Sequence, residues 1–76
     1  MDFGPVYAEP PRQIDDLSLI NGVEPATEGD LNRIGIYLFK QIASWSPTNI
    51  SAISEALQLD DRIVADHWVA QAKKFV

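Results

Sequence analysis

From residue 14 onward, glycine, proline and aspartate divide the chain into short segments in which apolar residues recur at helical spacing. Ser46-Pro47 is the clearest boundary, because serine is a preferred helix N-cap and proline fits the first helical turn. The residues that follow, Ile50, Ile53 and Leu57, fall on one stripe of a helix. No segment alternates apolar and polar residues long enough to indicate a strand. The sequence therefore predicts an all-α fold.

We predict five short helices with tight connections. In chain order they are a helix through residues 17–20 capped by Asp15 or Asp16, a second over residues 25–34, a third over about 37–44, a fourth beginning at Pro47, and a fifth capped by Asp60-Asp61. In the fifth helix, helical spacing places Val64, Trp68 and Phe75 near one face, with Ile63 and Ala72 beside them.

The first part of the chain has a different composition. Residues 1–13 contain three prolines, which forbid a helix and favour extended or polyproline conformations. We predict a flexible arm or linker over residues 1–13 and one domain over residues 14–76. The alternative is that Phe3, Val6 and Tyr7 dock loosely on the helical body.

Composition excludes several classes of function. The 76 residues suffice for one small domain, and six Lys plus Arg against eleven Asp plus Glu give a net charge of -5. This charge counts against a general polyanion binder, because nucleic-acid affinity comes mainly from neutralised phosphates. There is no cysteine for zinc-thiolate or thiol chemistry. The single histidine, His67, follows Asp66 directly, and adjacent helical residues point about 100° apart and form no dyad. We therefore predict no enzyme, metal site, cofactor or membrane span.

One segment resembles a known family. An apolar helix runs through Leu17 and Ile20 into Asn21-Gly22-Val23-Glu24-Pro25-Ala26 and directly into a second helix, as in helix-hairpin-helix domains. The later segment around Ile36 and Trp45-Ser46 resembles a second, degenerate hairpin, and the last helix resembles that of small bacterial versions compared with flap-endonuclease-like 5′ DNA nucleases. The resemblance implies an orthogonal bundle of two pseudo-related hairpin units, similar to SAM and helix-hairpin-helix folds, often appended to a larger protein.

The same resemblance implies a candidate binding site at the hairpin, residues Asn21, Gly22, Val23, Glu24, Pro25 and Ala26. In the family, two glycines let backbone N–H groups approach a DNA phosphate at a helix N-terminus. Here Gly22 matches the first glycine, but Glu24 replaces the second, and Glu28 and Asp30 follow where a basic residue is usual. Repulsion of about 1 kcal/mol per charge pair at 4 Å offsets a helix-end contribution of about 0.3–1 kcal/mol. Glu24 is also interpreted as an acid that stabilises its own helix N-terminus.

These observations favour a non-catalytic interaction module that binds another protein or the remainder of its own chain. The alternative is weak, sequence-independent binding to the DNA backbone. Residual DNA binding would use a candidate basic patch formed by Lys40, Arg62, Lys73 and Lys74. We expect a cytoplasmic monomer.

Overall fold

The computed structural model describes residues 2–76, in which all regular secondary structure is helical. A short 3-10 turn precedes five α-helices: the turn at Leu17–Leu19, α1 at Pro25–Arg33, α2 at Phe39–Ala43, α3 at Pro47–Leu57, α4 at Arg62–Ala65 and α5 at Trp68–Lys73. None of these helices is long and apolar enough to cross a lipid bilayer. The prediction of an all-α fold of short helices is confirmed.

The predicted start of α3 is also confirmed in its atomic detail. The hydroxyl of Ser46 accepts a hydrogen bond from the backbone N–H of Asn49 at 3.1 Å. The side chain of Asn49 in turn accepts one from the N–H of Ser46 at 2.9 Å. Pro47 occupies the first turn, where its missing N–H has no consequence. Reciprocal capping therefore fixes this helix start from local sequence alone.

The start of α2, by contrast, is capped by a residue from another part of the chain. Asp15 Oδ2 accepts a hydrogen bond from the N–H of Phe39 at 2.8 Å. Gln41 Oε1 accepts two more, from the N–H groups of Tyr37 at 2.8 Å and Leu38 at 3.0 Å. Asp16, not Asp15, caps the first 3-10 turn. These bonds satisfy N–H groups that a helix start otherwise leaves unpaired.

The core is a single cluster to which every α-helix contributes a buried side chain. α2 packs mainly against α5, and Phe39 stacks on Phe75 with ring centroids 4.3 Å apart. Both tryptophans are buried. The buried apolar residues are Leu17, Ile20, Val23, Leu31, Ile36, Phe39, Ile42, Trp45, Ile53, Leu59, Ile63, Trp68 and Ala72.

The predicted fifth helix is divided in two, which corrects the sequence interpretation. The chain leaves α4 at Asp66, passes through His67 in the left-handed conformation (φ 55°), and restarts as α5 at Trp68. In an uninterrupted helix, Ile63 and Trp68 are five residues apart and point about 140° away from each other. The break lets both side chains face the core, while Val64 of the predicted stripe remains 63% exposed.

The first predicted helix is also shorter than expected. It is a single 3-10 turn, in which Leu17 is fully buried and Leu19 is 57% exposed. Ile20, which follows the turn, is fully buried and its N–H donates to the carbonyl of Leu17 at 3.0 Å. One turn is enough to place both buried side chains before the chain enters the hairpin.

The N-terminal segment contacts the helical body at several points. Two buried side-chain amides donate to its carbonyls: Gln41 to Pro5 at 2.9 Å and Asn49 to Asp2 at 3.1 Å. The N–H of Tyr7 donates to the carbonyl of Gly35 at 3.0 Å. Phe3 packs against the core, whereas Val6 is 49% exposed. Met1 of the predicted arm lies outside the described residues, and the flexibility of residues 1–13 stays a prediction.

Candidate functional site

The hairpin turn has the backbone geometry that its sequence indicates. The N–H of Val23 donates to the carbonyl of Ile20 at 3.0 Å, which closes the turn. Gly22 adopts a φ of 102°, a backbone conformation that residues other than glycine rarely adopt. Val23 is buried and forms the apolar plug, while Glu24 and Pro25 introduce α1. The predicted site residues Asn21 through Ala26 therefore form one continuous turn leading into a helix.

A side chain from α5 binds the backbone of this turn. Gln71 accepts a hydrogen bond from the N–H of Asn21 at 2.8 Å and donates one to the Asn21 carbonyl at 3.1 Å. The same amide nitrogen of Gln71 donates to the carbonyl of Asp66 at 2.7 Å. One glutamine thus joins the hairpin turn to the break between α4 and α5. The N–H of Asn21 already has a partner within the chain, and this bond must break before the N–H can contact a phosphate.

The turn also lies directly against the α4–α5 break. A Cβ placed on Gly22 would approach Asp66 Cγ to 2.8 Å and Trp68 Nε1 to 2.9 Å, and a carboxylate oxygen of Asp66 more closely still. The indole N–H of Trp68 is buried and has no hydrogen-bond partner among residues 2–76. Close packing therefore requires glycine here, and Asp66 adds a carboxylate to the hairpin beyond those that the sequence indicated.

The acids that follow Gly22 differ in their surroundings. Glu24 is exposed at the N-cap of α1 and its side chain makes no capping hydrogen bond. Glu28 turns back to the preceding 3-10 turn, where its Oε2 accepts a hydrogen bond from the N–H of Leu17 at 2.7 Å. Asp30 pairs with Arg33 at 3.2 Å on the helix surface. Of the three acids, only Glu24 has a carboxylate with neither a hydrogen bond nor an ion pair among residues 2–76.

The basic residues are dispersed over the body. Lys40 borders a depression lined by the N-terminal segment, whereas Lys73 borders a different one beside α3 and α4. Arg62 begins α4, and Lys74 follows α5 as its C-cap. All four side chains are exposed. The geometry gives these four residues no shared depression, and a combined basic patch stays a prediction.

No three side chains of His, Asp or Glu in residues 2–76 lie close enough to hold a metal ion. His67 is exposed at the left-handed break between α4 and α5. Among the described residues, the candidate binding features are therefore the backbone of the hairpin turn and the exposed side chains around it.

The family described as the RS2/RL21/YNQ2 HHH domain matches residues 17–76. This match spans the hairpin turn, its Gln71 contact and all five α-helices. The chain belongs to this family. The helix-hairpin-helix resemblance seen in the sequence is thereby confirmed. The match gives no support to the comparison with flap-endonuclease-like nucleases.

Curated relatives of this HHH domain carry it within longer chains. This chain is 44% identical over 61 residues to the large ribosomal subunit protein bL21 of Jannaschia sp. (strain CCS1). The aligned residues make up 80% of this chain and 24% of the relative. The chain is 39% identical over 71 residues to the small ribosomal subunit protein uS2 of Methylobacterium sp. (strain 4-46), covering 93% and 20%. An uncharacterized 22.9 kDa protein of Paracoccus denitrificans is 40% identical over 63 residues, covering 82% and 29%.

The HHH domain therefore spans between about a fifth and a third of these relatives. No solved structure matches the chain significantly.

The sequence analysis missed two residues at the hairpin turn: Gln71, which is hydrogen-bonded to it, and Asp66, which packs against it. They lie 45 or more positions away from Asn21 along the chain, and Gln71 is separated from it by 50. Both were interpreted as parts of one continuous helix. The five-residue spacing of Ile63 and Trp68 is the one signal that could have indicated the break.

Proposed function

We propose that this HHH domain is a non-catalytic interaction module of a larger protein that associates with the ribosome. In this proposal it docks onto another protein or onto the remainder of its own chain. The observation that carries the proposal is the Gln71 side chain, which occupies the N–H and carbonyl of Asn21 in the hairpin turn. This contact leaves one N–H fewer in the turn for an external phosphate.

Charge supports the same proposal. The chain carries a net charge of -5, and the carboxylates of Glu24 and Asp66 lie at or beside the hairpin turn. These carboxylates repel a phosphate that approaches the N–H groups of the turn. The relatives add the context: two of those named are proteins of the large and small ribosomal subunits, of which this domain matches a minor part. A module shared by otherwise different ribosomal proteins fits docking better than catalysis, and it implies a cytoplasmic location.

Cosedimentation with purified ribosomal subunits tests the proposal. The chain should sediment with subunits in an amount that saturates and that falls only modestly as salt rises, because a protein contact releases few counterions. A chain that stays in the supernatant at micromolar concentration would contradict the association with the ribosome.

The second candidate function is sequence-independent binding to a nucleic-acid backbone. It is favoured by the retained turn geometry, with Gly22 at a φ of 102° and Val23 buried as the plug. Anisotropy of labelled duplex DNA and duplex RNA distinguishes the two candidates. Saturable binding that collapses with salt would support this candidate, and a flat signal would support protein docking.

A double variant tests the electrostatic reasoning itself. Glu24→Gly with Asp30→Lys removes the unpartnered acid and places a base in the first turns of α1, so duplex binding should appear or strengthen. The matched control is Glu9→Gly with Asp2→Lys, which makes the same exchanges in the N-terminal segment. If neither variant binds duplex, the charge at the hairpin does not account for weak phosphate binding.

A further inference from the structure

We propose that the groove between α3 and the α4–α5 pair binds an amphipathic helical segment of a partner protein, with apolar side chains facing the groove and lysine or arginine at one end. This inference deepens the proposed function, because it names the surface and the chemistry of the partner that the interaction module would take.

The groove consists of two adjoining surface depressions. One, of about 320 Å³, is lined mainly by Ile50, Ile63, Val64 and Val69. The other, of about 390 Å³, shares Ile50 and Val64 with the first and continues past Pro47. Val64 is 63% exposed although the preceding residue, Ile63, is buried in the core. An apolar side chain of this size gains free energy when a partner covers it.

The backbone around this groove is held in an uncommon conformation. Asp60 and His67, which precede and follow α4, both have a φ of 55°. Non-glycine residues in the left-handed region are uncommon and are concentrated at functional segments. Here they make α4 a single turn that buries Ile63 and projects Val64 outward into the groove. A continuous helix would have placed Val64 on the stripe of Trp68 instead.

The charges along the groove define the partner. Asp60 and Asp61 line one of the depressions, and Lys73 lines the other. All three are exposed, and none forms an ion pair within residues 2–76. Two unpaired carboxylates beside an apolar surface match a segment that carries lysine or arginine next to its apolar side chains. The net charge of -5 attracts the same basic partner over longer distances.

The geometry favours a helix over an extended peptide. Addition of a peptide as a β-strand requires an exposed sheet edge, and residues 2–76 contain no strand. The groove presents side chains from three helices, and these contact the apolar stripe of a partner helix without any backbone pairing.

Titration of the ¹⁵N-labelled chain with designed peptides tests the proposal. The first peptide carries leucines at helical spacing and two lysines at one end. In the second, glutamates replace the lysines, and in the third, serines replace the leucines. The first should shift the amide signals of Ile50, Val64, Val69 and Ala70, with about fivefold higher affinity than the second. The third should cause no shift. Shifts that centre on Asn21 and Gly22, or no shift with the first peptide, would overturn the proposal.

Two variants complete the test. Val64→Asp should abolish the shifts, whereas Leu19→Asp, at a residue of similar exposure (57%) outside the groove, should leave them unchanged. Asp60→Asn with Asp61→Asn should keep binding of the first peptide but remove its advantage over the second, since asparagine tolerates the left-handed conformation at residue 60. If this double variant still binds the first peptide more tightly than the second, the charge assignment is refuted. A dispersed spectrum of each free variant verifies that it is folded.

The outcomes separate this inference from the proposed function. If Val64→Asp sediments with ribosomal subunits as well as the unaltered chain does, the groove is the wrong surface and the proposed function stands. If the unaltered chain binds the first peptide in the groove but not ribosomal subunits, the groove assignment stands and the ribosomal role falls. The molecular mass in solution provides a further test. If it doubles as the protein concentration rises, and if Val64→Asp stays at the monomer mass, a second copy of the chain covers the groove. This result also overturns the proposal.

Discussion

Substitution of Gln41 should destabilise the domain more than substitution of any exposed polar side chain. Its side chain is only 3% exposed and makes four hydrogen bonds to backbone groups. The oxygen accepts from the N–H groups of Tyr37 and Leu38 at 2.8 and 3.0 Å. The nitrogen donates to the carbonyls of Pro5 and Gly35, each at 2.9 Å. The side chain of Gln41 therefore links three parts of the molecule: the N-terminal segment, the loop between α1 and α2, and the start of α2.

The magnitude follows from the number and burial of these bonds. Each contributes about 0.5–1.5 kcal/mol, and the buried carbonyl of Gly35 has no access to replacement water. We expect Gln41→Ala to lower the free energy of unfolding by about 3 kcal/mol, where a chain of this length has about 4–11 kcal/mol in total. The midpoint of thermal unfolding should fall by about 12–24 °C.

Urea denaturation followed by tryptophan fluorescence measures the effect, because Trp45 and Trp68 are both buried. The matched control is Gln13→Ala, at an exposed glutamine, which should change the free energy by less than about 0.5 kcal/mol. A loss in Gln41→Ala no greater than in this control would refute the reasoning.

The variant Gln41→Glu separates the two halves of the network. It keeps an acceptor for Tyr37 and Leu38 but, when ionised, directs negative charge at the carbonyls of Pro5 and Gly35. Folding therefore favours the protonated carboxyl, which raises its pKa in the folded state. The stability of this variant relative to the unaltered chain should be highest below the unfolded pKa of about 4.3 and should fall as the pH rises. A difference independent of pH would contradict the donor assignment.

Three further substitutions test the turns. Gly22→Ala should lower the free energy of unfolding by about 2–4 kcal/mol in urea denaturation, because its Cβ collides with Asp66 and Trp68 at a φ of 102°. Gln58→Gly should raise it by about 0.5–1 kcal/mol by calorimetry, since Gln58 ends α3 at a φ of 56°; no gain would argue against strain there. Gln71→Ala should cost about 1 kcal/mol and speed hydrogen exchange at the Asn21 N–H, and unchanged exchange there would contradict the contact.

The sequence analysis was right about elements whose determinants are local. α1 begins at Pro25 and α3 at Pro47, as predicted, because a proline in the first turn and the residue before it act within a single turn. The sharp turn at Gly22 was likewise evident, since few other residues accept its backbone conformation.

The analysis was less accurate where the core decided the conformation. It treated residues after Asp61 as one helix, and local propensity gave no reason for the break at His67. The break exists because Ile63 and Trp68 are both buried, at 1% and 0% exposure. Burial of these two large side chains outweighs the cost of about 1–2 kcal/mol for one left-handed residue.

The sequence by itself determined the helical class, the positions of the two proline starts and the hairpin turn, because each depends on residues within a few positions of one another. Only the tertiary structure decided which distant side chains complete these elements. Asp15 caps α2 across 24 positions, Gln41 reaches Pro5 across 36, and Gln71 holds the hairpin across 50. Such partners are chosen by how the apolar faces pack, and a buried polar group takes whichever donor or acceptor that packing brings within reach.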